Sequence, residues 1–208
     1  MGYVSLIVPT LIILPYVIFT VIYLSPEPEI RERAIFIFDE ISTVLPAFAA
    51  SLWGYFFTGG IFERAKDVFL IKNKHHLSRA LFVGSVPLLL LIALCATTAS
   101  IFASSYSEEI TNVAFRTGVV ALFCMLLIAV SLYLLKRSSV GLATSLFFTL
   151  FSYGAHAGWV FGLPAWMIPR GGHDGIGYVY FVGLLAALLL VTLVLCEGGL
   201  KRIINLYD

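Results

Sequence analysis

Six apolar runs, at residues 4–24, 41–60, 80–103, 117–135, 140–168 and 178–196, fill most of this chain, and the short connectors between them carry nearly all of its 13 Lys and Arg residues. Each run approaches or exceeds the ~20 apolar residues with which a helix crosses ~30 Å of hydrocarbon at ~1.5 Å per residue. A spanning segment in lipid must satisfy its own backbone N–H and C=O groups, so the runs are expected to be helices. At 60% hydrophobic and 12% charged residues, the chain has about half the charge of a typical soluble domain. It carries more apolar surface than a soluble core of its size would bury. Connectors mostly shorter than twenty residues leave no separate soluble domain, so residues 1–208 read as one all-α, multi-pass membrane bundle of six transmembrane helices.

Orientation follows from the basic residues. With six spans, one side holds nine of them: Arg64, Lys66, Lys72, Lys74, Arg79, Lys136, Arg137, Lys201 and Arg202. The other side holds Arg31, Arg33, Arg116 and Arg170. Both termini are therefore expected in the cytoplasm, with the inner (plasma) membrane of a bacterium as the expected location. The first run has no basic flank and no small-residue cleavage site, so it is expected to stay as a helix. Cys95, Cys124 and Cys196 lie one to a run without C-x-x-C spacing and read as small packing residues.

The fifth run is the most patterned. Gly154, Gly158 and Gly162 recur every four residues, stripping one helix face so that a neighbouring helix can approach closely. The second run has a lesser version in Ala47/Ser51 and Ala50/Gly54. Close packing of helices two and five, or a homo-oligomer built through helix five, is the expected consequence. A second face of helix five carries Ser145, Thr149, Ser152 and His156. Such a stripe suits a hydrated path through the bundle, although Ser and Thr also satisfy themselves on their own helix.

Helical rise puts His156 in the outer half of the bilayer, at about the depth of Asp39 and Glu40 if the second helix begins near residue 34. A carboxylate and an imidazole at one level make a candidate proton or cation site. The competing expectation is that Asp39 caps a helix starting at Glu40. Residues 34–40 read equally as an interfacial helix or as the outer turns of the second span. Arg116 reads as the opening of the fourth helix, paired with Glu108 and Glu109 at the interface.

Residues 63–79 form the longest connector and read as a basic amphipathic segment, with Arg64, Lys66, Lys72, Lys74 and Arg79 available to anionic lipid or a cytosolic protein partner. Trp159, Trp166, Tyr178 and Tyr180 suit the outer headgroup belt. Haem between helices generally needs two axial ligands, and His156 is the one histidine placed inside a run. The zinc-protease, serine-hydrolase and phosphate-cradling patterns are absent. No catalytic residue, metal or cofactor is assigned, and nothing points to nucleic acid.

Enzyme is the weakest of the classes the sequence leaves open, and two non-enzymatic functions compete. One is a small transporter or channel for a solute or ion, with a polar path along helix five and Asp39, Glu40 and His156 handling protons or cations. The other is a membrane sensor or anchor subunit that oligomerises and docks a cytosolic effector through residues 63–79, as in a stress or defence module.

Overall fold

The computed structural model describes residues 4–62, 77–135, 137–156, 183, 186–192 and 194, and the description below is confined to these. Five helices account for almost all of them: α1 (Val4–Tyr23), α2 (Pro28–Phe62), α3 (Leu77–Phe102), α4 (Ser107–Leu135) and α5 (Ser138–His156). A single 3-10 turn, Ser104–Tyr106, joins α3 to α4. Residues 186–192 are helical as well, and no strand occurs among the described residues.

Four stretches are long and apolar enough to cross a membrane: Leu6–Tyr23, Pro28–Phe57, Val83–Phe102 and Ser104–Ser131. The apolar part of α5, Ser139–Leu150, is shorter. The chain is thus an all-helical protein whose long apolar helices suit a membrane.

Two boundaries differ from the sequence reading, for one physical reason. α2 begins at Pro28 rather than near residue 41, and α4 begins at Ser107 rather than at Thr117. Charged residues end an apolar run without ending a helix, and here both helices continue outward through their polar turns. Proline at the first helical position costs no hydrogen bond, and Glu29, Glu108 and Glu109 fall in first turns, where the helix dipole favours an acid. The α1–α2 turn is closed by Arg31, whose guanidinium donates to the Ser25 carbonyl at 3.1 Å. Asp39 therefore lies well inside α2 and is not the cap of a helix starting at Glu40.

α2 and α4 form the centre of the bundle. α2 packs on α1 and α4, α3 on α4 and α1, and α5 on α4 and α2. The apolar window of α4 is 61% buried, against 28% for those of α1 and α3. On the α1 side the core is aromatic: Phe38 meets Tyr16 edge-on at 5.0 Å and Phe19 at 4.9 Å. Between α2, α4 and α5, small residues of α2 and α5 meet the larger buried side chains of Met125 and Ile128 on α4. A Cβ on Gly141 would stand 2.8 Å from the Ile128 backbone, and one on Gly54 would stand 3.1 Å from the Ile128 side chain. These two glycines let α5 and α2 close on the same turn of α4.

The outer faces of α1 and α3 expose Leu6, Val17, Val21, Leu90, Leu94 and Ile101, as lipid-facing helices do. Thr10, Thr97 and Thr98, also exposed, donate to carbonyls one turn back on their own helices, which removes the penalty of a hydroxyl in hydrocarbon. Trp53 ties α2 to α3 by donating to the Gly84 carbonyl at 2.7 Å. That carbonyl lies in the turn that Pro87 weakens by withholding its N–H.

Candidate polar site inside the bundle

Asp39 and Arg116 form an ion pair across the interface of α2 and α4. Asp39 is 6% exposed, and it lies six residues, about 9 Å of helix rise, deeper than the exposed Arg33. The structure thus gives Arg116 a partner on another helix, while Glu108 and Glu109, which the sequence suggested for it, are exposed on the first turn of α4. Taking two charges out of water costs several kcal/mol per ion, and their attraction offsets this only when each meets the other closely.

The next residue of α4 makes a second link to the same segment of α2. Thr117 Oγ1 donates to the Ser42 carbonyl at 3.1 Å and also lies 2.8 Å from the carbonyl of Val113 on its own helix. Ser42 needs an outside donor because Pro46 follows it by four residues and has no N–H to return. Two hydroxyls in this region, those of Ser42 and Tyr16, are buried and have no hydrogen-bond partner among the described residues. Ser42 is one turn beyond Asp39 on α2, and Tyr16 reaches the same region from α1 through its contact with Phe38. An ion pair, a carbonyl released by proline and two unsatisfied hydroxyls therefore share the bundle interior.

A second polar group joins α2, α4 and α5. Ser51 and Ser145 stand Oγ to Oγ at 2.6 Å, and while Ser51 donates to the Ala47 carbonyl at 2.8 Å it receives from Ser145. Thr149 donates to the Ser145 carbonyl at 2.9 Å. Cys124 of α4 is buried beside these three side chains. Ser51, Ser145 and Cys124 are fully buried, and Thr149 is nearly so.

The residues picked from sequence divide accordingly. Asp39 and Glu40 are on α2, Asp39 buried and Glu40 half-buried. Ser145 and Thr149 are buried where α5 meets α2 and α4. Ser152, Gly154 and His156 lie on the last turns of α5, and their side chains are outside the described residues, as are Gly158 and Gly162 altogether. Counting outward from the Ser51–Ser145 contact, eleven residues along each helix, brings Glu40 and His156 to one level. Arg64, Lys66, Lys72 and Lys74 fall outside the described residues, and Arg79 lies on the first turn of α3 with its side chain undescribed.

Three participants escaped the sequence reading: Arg116 as the partner of Asp39, Thr117, and Ser42. The available signal was a serine four residues before a proline in a spanning helix, together with an arginine inside the continuous helical pattern of residues 107–135. Among the described residues, no three His, Cys, Asp or Glu side chains converge as a metal site requires. Comparison with protein-family models, characterised proteins and solved structures finds no match.

Proposed function

We propose that this chain is a small six-span transporter or channel, both termini cytoplasmic, whose path for an ion or small solute passes the Asp39–Arg116 pair. The observation that carries this reading is the pair itself. Charged groups inside apolar helices are costly, and they persist mainly where they serve a solute path, a proton relay or a coupling ion. The buried hydroxyls of Ser42 and Tyr16, without partners among the described residues, add hydrogen-bonding capacity that packing alone does not need. The same arrangement moves the expected path from the face of helix five to the contact between α2 and α4. Ser145 and Thr149 then act as packing polarity, holding α5 on α2 and α4. An apolar helical bundle also suits an inner or plasma membrane better than an outer membrane, whose spanning proteins are barrels.

Purified protein reconstituted in liposomes tests the reading. Flux of protons, alkali cations or small anions above that of empty liposomes is expected. Absence of flux across that panel, with a soluble protein retained through purification, would overturn it in favour of the sensor or anchor role.

A further inference from the structure

Pro46 sits near the middle of α2, fully buried. Its ring supplies no N–H to the Ser42 carbonyl and crowds that carbonyl away from the helix axis. The outer segment of α2, residues 28–45, carries Asp39 and is therefore joined to the inner segment by a turn lacking one of its hydrogen bonds. Thr117 of α4 replaces that bond from outside, at 3.1 Å. Yet the same hydroxyl stands 2.8 Å from the Val113 carbonyl, and a hydroxyl has a single proton to donate. The proton can go to the helix that carries Thr117, or to the carbonyl that Pro46 releases on its neighbour. Ser42 also holds an unspent hydroxyl at this turn, buried with no partner among the described residues, so the turn has a donor available for a second arrangement.

We infer that Thr117 is a latch on a proline hinge in α2, a positioning residue that holds the segment bearing Asp39 against Arg116 while its proton is on the Ser42 carbonyl. Turning that proton to Val113 releases the hinge and lets Asp39 move relative to Arg116. Two discrete hydrogen-bonding states at one turn form the kind of element a gate requires. The latch as a control of solute passage rests on the transport reading above, whereas the hinge itself does not.

Hydrogen–deuterium exchange on the full chain in nanodiscs tests the hinge without any flux measurement. Thr117→Val keeps the shape and removes the hydroxyl, so amides around residues 42–47 should exchange about 5- to 10-fold faster, the effect of losing one hydrogen bond. Thr117→Ser keeps the hydroxyl and should exchange like the wild type. Pro46→Ala restores the missing N–H, so Thr117→Val placed on Pro46→Ala should exchange no faster than Pro46→Ala alone. If Thr117→Val does not fold, recovery of folding in the double variant supports the latch and failure to recover overturns it. Wild-type exchange in a folded Thr117→Val protein, or the same acceleration with and without Pro46, would also overturn it. A protein inert in flux but showing this exchange pattern loses the transport reading and keeps the hinge.

Discussion

Asp39 and Arg116, 77 residues apart in the chain, face each other from α2 and α4 inside the bundle, and Arg116 is followed directly by the residue that holds the Ser42 carbonyl. α4 thus grips α2 at two consecutive positions, one by charge and one by hydrogen bond. The grip spans a single turn of α2 just outward of Pro46.

The close approach of α5 to α4 depends on Gly141. A methyl there would stand 2.8 Å from Ile128 Cα, and backbone cannot move aside as the end of a side chain can. Gly141→Ala should destabilise the purified protein by about 1–3 kcal/mol, the range for overpacking, read as a lower midpoint of thermal unfolding. Gly54→Ala should cost less, because its nearest neighbour is the tip of the Ile128 side chain. Gly183→Ala, with nothing within 4 Å among the described residues, should leave the midpoint unchanged.

The Ser51–Ser145 contact should respond asymmetrically. Ser145→Ala removes the hydroxyl across from Ser51 and leaves the buried Ser51 oxygen without its donor on α5, for a loss of about 1 kcal/mol. The double variant Ser51→Ala/Ser145→Ala removes both and should be less destabilising than the sum of the two single changes. Strict additivity in unfolding midpoints would show that the two hydroxyls are not coupled.

Trp53→Phe keeps an aromatic ring beside Phe57 and deletes the donor to Gly84. A loss of about 1 kcal/mol is expected, with faster amide exchange confined to the first half of α3, where Pro87 already removes a bond. Exchange unchanged there would show that the indole N–H contributes nothing to this helix.

Orientation is expected from the nine-to-four distribution of Lys and Arg. Cysteines placed singly at Lys74 and at the C-terminus should react only with permeant reagents in intact cells, and one at Glu108 should react with impermeant reagents. Impermeant labelling at Lys74 would reverse the topology.

How legible these features were depends on the range of the interaction. Apolar runs announce themselves locally, so the helical class and the approximate positions of α1 and α3 could be read from sequence. The starts of α2 and α4 could not, because hydropathy falls at Arg33 and Glu109 while helical backbone bonding does not. The small residues Ala47, Ser51 and Gly54 lie in the packed part of α2 or at its contacts, and Gly141 of α5, an isolated residue outside the Gly154, Gly158 and Gly162 spacing, contacts α4 without any periodic signal. The partner of Asp39 was hidden for a different reason. Pairing across 77 residues is set by which faces α2 and α4 turn toward each other, and no spacing within either helix encodes that.

Flux and unfolding measured together on Asp39→Asn, Arg116→Gln and their combination decide whether the Asp39–Arg116 pair is the working part of the molecule. Removing either charge deprives the other of this buried counter-ion, which costs about 3–5 kcal/mol, so each single variant should unfold earlier than the double variant, in which both charges are gone. All three should lose flux in liposomes, including the double variant whose stability is largely restored. Wild-type flux in a folded double variant would contradict the account and reduce Asp39 and Arg116 to a structural strut.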